Sequence, residues 1–222
     1  MRLIFLGPPG SGKGTQAKLL CERLHLEHIG TGDILRDAIR RLTPLGKRAK
    51  PFVDDGLLVP DELVNDLVAE RFRGEARPER FVMDGYPRTL AQAASFDQVL
   101  RQQFLSLTAV VLLRVDDEEI VHRLAGRWSC PYPGCKRTYH TTHNPPKRAG
   151  YCDADNTPLV QRADDREETI RRRLRVYHAN MAQLIPHYRA QGLIREVNGQ
   201  GAIEEVYATI MRALGPQAGP TC

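Results

Sequence analysis

Short unbroken apolar runs alternate along the chain with stretches whose apolar residues recur every three or four positions. Leu3 to Leu6 is the first run, short enough for a strand buried on both faces. It enters Gly7-Pro-Pro-Gly-Ser-Gly-Lys-Gly-Thr15, after which Gln16 to Leu24 read as a helix. Leu26-Glu-His-Ile29 leads to Gly30-Thr31-Gly32-Asp33, where Thr31 or Asp33 stands ready to cap a helix over Ile34 to Arg41. Pro44, Pro51 and Gly56 cut the next stretch into short pieces, which read as a small helical insertion. Pro60-Asp61 then starts a helix on Leu63, Val64, Leu67, Val68 and Phe72, which the stretch from Gly74 to Glu79 breaks.

The second buried strand spans Arg80-Phe-Val-Met-Asp84 and ends in the polar turn Gly85-Tyr-Pro-Arg88. A helical pattern follows from Leu90 to about Gln103. Leu107 to Val115 is the most strand-like run, and Asp116-Asp117 caps a helix through about Arg127. Trp128 to Gln161 has no helical period and is rich in Pro, Gly, Thr, Tyr and Cys. A structureless loop of that length is uncommon inside a compact domain, so the segment reads as a small module with its own means of stabilisation. Asp164-Asp165 starts a long helix with Ile170, Leu174, Tyr177, Met181 and Leu184 along one face. Leu193 to Val197 is a last strand, Ile203 to Leu214 a last helix, and Gly215 to Cys222 a loose tail. Apolar strands alternating with helices predict an α/β fold, a central parallel sheet flanked by helices.

Composition narrows the classes further. At 222 residues, 41% apolar and 27% charged, the chain has the make-up of a globular protein with one substantial core. Its net charge of +5 fits nucleic acid, or arginines gathered round an anionic small molecule. With no cationic leader and no apolar run of membrane-spanning length, a cytoplasmic protein is expected. Five cysteines in a chain this long do not suggest a disulfide framework.

Gly7-x4-Gly12-Lys13 fits the phosphate-binding loop, with Gly14 next and the hydroxyl at Thr15. Glycines let backbone N–H groups approach phosphate oxygens, and the following helix adds its positive end. Lys13 adds a mobile charge for the outer phosphates. A strand before and a helix after favour this over a Gly/Pro turn with a surface lysine.

In order and spacing, that loop together with Thr31-Gly-Asp-Ile-Leu-Arg36, Asp84-Gly-Tyr-Pro-Arg88, Arg123-Leu-Ala-Gly-Arg127, Arg162-Ala-Asp-Asp165 and Arg173 resembles the adenylate kinases, in their long-lid, zinc-bearing bacterial form. The likeness covers nearly the whole chain. It implies a P-loop core (1–29, 60–126 and 165–222), a helical nucleoside monophosphate-binding insertion (30–59) and a zinc-stabilised lid (127–164). It implies reversible phosphoryl transfer from Mg-ATP to AMP, giving ADP, by a monomer engaging neither nucleic acid nor membrane. By the resemblance, Gly10, Ser11, Gly12, Lys13, Gly14, Thr15, Arg123, Arg127, Tyr139 and Gln200 bind ATP. Thr31, Arg36, Leu57, Val59, Gly85, Arg88, Gln92, Arg162 and Arg173 bind AMP, Gln92 reading the base. Lys13, Arg88, Arg127, Arg162 and Arg173 carry catalysis, and Asp84 holds magnesium largely through water. Tyr86 and Gly30 stand where the family commonly has Phe and Ser. The arginine load also follows from chemistry. The acceptor phosphate is mostly ionised at neutral pH, its second pKa being about 6, so it attacks without a general base. The protein must align, exclude water and neutralise charge, work suited to arginine forks. Arg171, Arg172 and Arg175 read as a solvated helix face.

Cys130-Pro-Tyr-Pro-Gly-Cys135 and Cys152-Asp-Ala-Asp155 form a four-ligand pattern for a closed, structural zinc site. Four residues separate the first pair where two are usual, and His140, His143 and Asp153 are alternatives to Asp155. Cys21 reads as core and Cys222 as tail. Two competing readings are a P-loop protein whose zinc knuckle grips RNA, and a kinase for UMP, CMP or GMP.

Overall fold

The computed structural model describes residues 1–73, 76–135, 137–142 and 144–215. In chain order its first half runs β1 (Arg2–Leu6), α1 (Lys13–Leu24), β2 (Glu27–Gly30), α2 (Thr31–Arg40), α3 (Pro44–Asp54), α4 (Asp61–Arg71), β3 (Phe81–Asp84) and α5 (Leu90–Gln102). The second half runs β4 (Ala109–Arg114), α6 (Asp117–Ala125), β5 (Arg127–Ser129), β6 (Thr138–His140), α7 (Glu167–Ala190), β7 (Ile194–Asn198) and α8 (Ile203–Leu214). Five strands form a parallel sheet in the order β2-β3-β1-β4-β7.

Both faces of that sheet are buried, because alternate strand residues enter different packed clusters. Ile4, Leu6, Met83, Val110 and Leu112 pack with Val68, Phe72, Phe96 and Leu184. Leu3, Phe5, Val82, Val111 and Leu113 pack with Ala17, Leu20, Val206 and Ile210. The first face is therefore closed by α4, α5 and α7, and the second by α1 and α8. Each fully buried side chain of this size contributes about 1.5–3 kcal/mol over leaving it in water. Rings of Phe72, Phe81, Phe96 and Tyr86 meet edge to face, with centroids 5.2–6.2 Å apart in the successive pairs.

The parallel arrangement sends the C-terminal ends of β1, β2 and β3 to one edge. The register pairs Phe5 with Asp84 and Gly30 with Asp84, so the loops after those strands emerge side by side. Open α/β sheets bind ligands at such an edge. Beside it α2 and α3 pack on each other, Thr43 capping α3 by accepting a hydrogen bond from Gly46 N at 3.1 Å.

Residues 127–135, 137–142 and 144–160 form a small separate layer. β5 and β6 pair antiparallel with Arg127 opposite His140, and Ser129 bridges to Val160. Among the described residues its buried apolar cluster is Cys130, Tyr139, Cys152 and Leu159. Four side chains, two of them thiols, are too few to hold a fold by apolar burial alone.

Three local expectations change. Glu27–Gly30 is a strand at the sheet edge, an element its mixed polarity does not announce. The helix after Gly30 begins at Thr31, with Gly30 at the cap position and no side-chain cap, because Asp33 turns to Arg36 instead. Asp164 and Asp165 lie in a short 3-10 turn ahead of α7, whose cap position is Arg166. His143, Gly74 and Cys222 lie outside the described residues.

Candidate active site

Gly7 to Gly12 carries the chain from β1 to α1. The cap residue Gly12 sits at φ 89°, and no side chain caps α1. Its first N–H groups are thus left for an incoming anion. Gly10, Gly12, Lys13, Gly14 and Thr15 line the cleft, while Ser11 is buried beneath the loop. Lys13 Nζ donates to the Gly7 and Pro8 carbonyls at 2.8 and 2.7 Å and lies 3.4 Å from Ser11 Oγ. Those dipoles replace water poorly. Burial lowers the Lys13 pKa to about 8; Asp84 opposes the shift, and Arg88, Arg173 and Arg127 add to it.

Asp84, at the end of β3, approaches the start of α1. A side chain at Gly14 would meet Asp84 Oδ2 at 3.2 Å, so only glycine leaves this approach free. His28 Nε2 stands 3.6 Å from the same oxygen. Burial by itself would raise the Asp84 pKa, but His28, Lys13 and Arg88 together hold it below the usual carboxylate range. Asp84 is thereby kept ionised, as a hard cation requires.

On the other side of the cleft stand Thr31, Arg36, Leu57, Val59, Gly85, Arg88 and Gln92. Gly85 has φ 80°, and a β-carbon there would press within 3.2 Å of both Arg88 Nη2 and Thr31 Oγ1. Arg36 pairs with Asp33 at 2.7 Å, and Arg88 Nε donates to the Gly85 carbonyl at 2.7 Å. Burial, then the neighbouring Arg173, lowers the Arg88 pKa to about 10. The Tyr86 hydroxyl lies 2.8 Å from Asn65 Oδ1 and 3.1 Å from the Gln92 carbonyl, which satisfies it where a phenylalanine would have no such bond.

Four further arginines close the cleft: Arg123, Arg127, Arg162 and Arg173. Arg127 is gripped through both fork nitrogens by Asp165, at 2.8 and 2.6 Å. The Asp165 side chain is wholly buried. Arg173 Nη1 donates to the Asp164 carbonyl at 2.9 Å, and lies 2.9 Å from Asp164 Oδ2 and 3.8 Å from Asp165 Oδ1. Arg162 Nε donates to Ser129 Oγ at 3.0 Å; burial, then Arg127, lowers its pKa to about 10. Arg123 pairs with Glu119 at 2.6 Å and donates to the Gly199 carbonyl at 3.2 Å. Asp164 and Asp165 are arginine partners that the sequence does not announce. Acids ahead of a helix satisfy its dipole, and that sufficient explanation hides their use as counter-ions for remote arginines.

Two residues expected at the donor nucleotide are not brought to the cleft. Tyr139 is buried among the cysteines of the small layer, its hydroxyl 3.5 Å from Cys152 Sγ and accepting from Asp153 N at 2.7 Å; Thr138 lines the cleft in its stead. Gln200 is exposed and donates to Asp116 Oδ2 at 2.9 Å, next to the Gly199 carbonyl that Arg123 uses. On α7, Arg171 pairs with Glu118 and Glu167, whereas Arg172 reaches the Asp55 carbonyl at 3.0 Å and so ties α7 to the end of α3.

The thiols of Cys130, Cys135 and Cys152 and a carboxylate oxygen of Asp155 lie within 4.8 Å of one another. Cys135 Sγ and Cys152 Sγ are 3.7 Å apart, and Cys130 Sγ is 3.4 and 3.5 Å from the two Asp155 oxygens. A tetrahedron with Zn–S near 2.3 Å and Zn–O near 2.0 Å has edges of about 3.8 Å and about 3.5 Å, so the donor set fits a closed zinc site. Tyr132 N donates to Cys130 Sγ at 3.4 Å, as an N–H does toward a thiolate, and Thr157 N orients Asp155 at 3.0 Å. Asp153 instead accepts from Lys147 N, and His140 Nδ1 accepts from Thr142 N; neither belongs to the group.

Lys13 and six arginines thus meet in one cleft with Asp84, Asp164 and Asp165 among them. Burial is the first cause of the depressed pKa values of Lys13, Arg88 and Arg162, and neighbouring cations lower each further. Residues 5–193 match the family model of adenylate kinase. An adenylate kinase of Geobacter sp. (strain M21) is 50% identical over 214 residues, spanning 96% of this chain and 99% of that protein. Those of Caldicellulosiruptor bescii and Moorella thermoacetica are 45% and 46% identical over 215 residues, covering 97% of this chain and 99% and 98% of theirs.

Proposed function

The chain belongs to the adenylate kinase family of phosphoryl-transfer enzymes, and from that premise we propose that it moves the terminal phosphoryl group of Mg-ATP reversibly to AMP. The observation that carries this is the convergence of Lys13, Arg36, Arg88, Arg127, Arg162 and Arg173 on one cleft from separate elements. Arg36 and Arg88 grip the acceptor phosphate, which is already anionic and attacks without a base. Lys13 leaves the loop carbonyls for the donor's outer phosphates, recovering a full charge as it does. Arg127, Arg162 and Arg173 surround the group in transit, whose charge spreads over its equatorial oxygens. Asp165 and Asp164 hold the Arg127 and Arg173 forks in place before substrate arrives, so little reorganisation is left for the reaction itself. Asp84 would hold magnesium, whose charge adds to that of the arginines on the donor phosphates.

Arg123 stacks on the donor base from its anchorage on Glu119 and Gly199. Residues 30–59 close over the acceptor and 127–164 over the donor, keeping out water that would otherwise take the phosphoryl group. Adenylate kinase lid closure is one of the established examples of such gating. Cys130, Cys135, Cys152 and Asp155 would hold zinc, a structural tie for a layer without a core of its own. The enzyme works as a monomer in the cytoplasm on ATP, AMP and ADP. No helix among the described residues is long and apolar enough to cross a membrane. The cleft-facing arginines weigh against a knuckle that grips RNA.

The test is ADP formation from Mg-ATP and each nucleoside monophosphate in a coupled assay, beside an RNA gel shift. Turnover with AMP far above UMP, CMP and GMP supports the proposal. Preference for another acceptor, or RNA binding without turnover, rejects it.

A further inference from the structure

The acceptor side of the cleft contains a hydrogen-bond chain whose direction is forced by chemistry. Gln92 is only 2% exposed and lines the cleft. Its side-chain oxygen Oε1 accepts from Arg88 N at 2.7 Å, and its Nε2 donates to Asp61 Oδ1 at 2.8 Å. A backbone N–H can only donate and a carboxylate can only accept, so the amide has one satisfied orientation. The other Asp61 oxygen is engaged too. Thr89 Oγ1 lies 2.7 Å from Asp61 Oδ2 and accepts from Gln92 N at 3.1 Å as the cap of α5, so its hydroxyl proton goes to Asp61. Asp61 opens α4, 31 positions before Gln92 in the chain.

We propose that Asp61 is a specificity-determining positioning residue, which locks the Gln92 amide and thereby selects a 6-aminopurine over a 6-oxopurine monophosphate. The inference rests on the reading of the cleft as the AMP site. With one N–H and one lone pair committed, Gln92 keeps one N–H and one lone pair of fixed order. The edge of adenine offers a donor at the 6-amino group beside an acceptor at N1, which matches that order. Hypoxanthine presents an acceptor at O6 beside a donor at N1, the reverse order. It would set donor against donor and acceptor against acceptor unless the amide turned over. Turning over would aim Nε2 at Arg88 N–H and Oε1 at the Asp61 carboxylate, leaving both buried pairs unmade.

The experiment compares kcat/KM for AMP and inosine 5′-monophosphate in the wild type and in Asp61→Asn. A site built on committed donors and acceptors rejects the mismatched analogue by about 10⁴-fold, so the wild type should show a ratio of that order. Asparagine can donate or accept, so it releases the amide at one end while Arg88 N still biases the other. The inosine-to-adenosine ratio should then rise by at least about tenfold. Any loss of folded enzyme lowers both activities equally and cancels in the ratio, which a purely structural role for Asp61 would leave unmoved. If Asp61→Asn does not fold, Asp61→Ser, whose hydroxyl also donates or accepts, is compared in the same way. A wild type that phosphorylates AMP and variants whose ratio stays within about twofold of it overturn the lock. A wild type inactive on AMP overturns the reading of the site itself.

Discussion

Replacing Asp165 with asparagine removes one charge and one acceptor from the Arg127 fork without changing the side chain's shape. Asp165 is wholly buried and Arg127 retains 22% exposure. Breaking a fully buried ion pair by removing one partner costs about 3–5 kcal/mol. Water reaching the exposed part of Arg127 should return some of that, leaving about 2–3 kcal/mol. For a chain of this size, each 1 kcal/mol moves Tm by about 2–4 °C, so a fall of about 4–12 °C is expected. Arg173, 3.8 Å from the same carboxylate and paired chiefly with Asp164, should keep its place. The catalytic effect should exceed the stability effect, because an Arg127 fork no longer preset must be oriented during the reaction. Loss of a single preorganised donor costs about 10²–10³ in kcat. Calorimetric melting and steady-state kinetics with Mg-ATP and AMP give both numbers. A variant with wild-type kcat at temperatures where it is folded would refute the claim that Asp165 preorganises Arg127, whatever its Tm.

Arg88→Ala should lower kcat by orders of magnitude while the protein stays folded, checked by turnover and circular dichroism; near-normal turnover would oppose its placement at the acceptor phosphate. Removing metal with a chelator should lower Tm more than it lowers turnover at low temperature, since Cys130, Cys135, Cys152 and Asp155 stabilise the lid layer and do not touch the cleft. The only tryptophan, Trp128, lies on β5 opposite Tyr139 and reports that layer's melting by fluorescence; proportional losses of stability and activity would contradict a purely structural metal. Lys13, lowered to about 8 by burial, carries a cost of charge that is full below pH 8 and fades as pH rises toward 10.5. A bound polyphosphate restores its ammonium, so nucleotide binding at pH 8 should take up about half a proton from solvent. Calorimetry in buffers of different ionisation enthalpy measures this, and proton release or none would disprove it.

What could be read in the sequence were the elements whose signal is local. The glycine loop and the arginines after strand ends declare phosphate chemistry because a parallel sheet brings strand ends together, and Leu3–Leu6 and Leu107–Val115 declare the sheet. The cysteine pattern carried over its unusual spacing, because the Pro131–Gly134 turn still returns Cys135 to the other ligands. Glu27–Gly30 carries no strong strand signal because it is short and pairs only with β3, so it needs no long apolar run. Asp164, Asp165 and Asp61 act on partners that are remote in sequence or belong to another element, and each fits a helix start on its own terms. Tyr139 shows the converse: the resemblance assigned it to nucleotide, and the packing spends its hydroxyl on Cys152 and Asp153.

The central claim is that cations from separate elements converge on phosphates strung between two nucleosides. Its most direct test is a crystal structure with a dinucleoside polyphosphate that carries an adenosine at each end. The account predicts one ligand per chain, with Lys13, Arg36, Arg88, Arg127, Arg162 and Arg173 all on its phosphate bridge. A complex in which the second adenosine lies in solvent, or the arginines point away from the bridge, would contradict it.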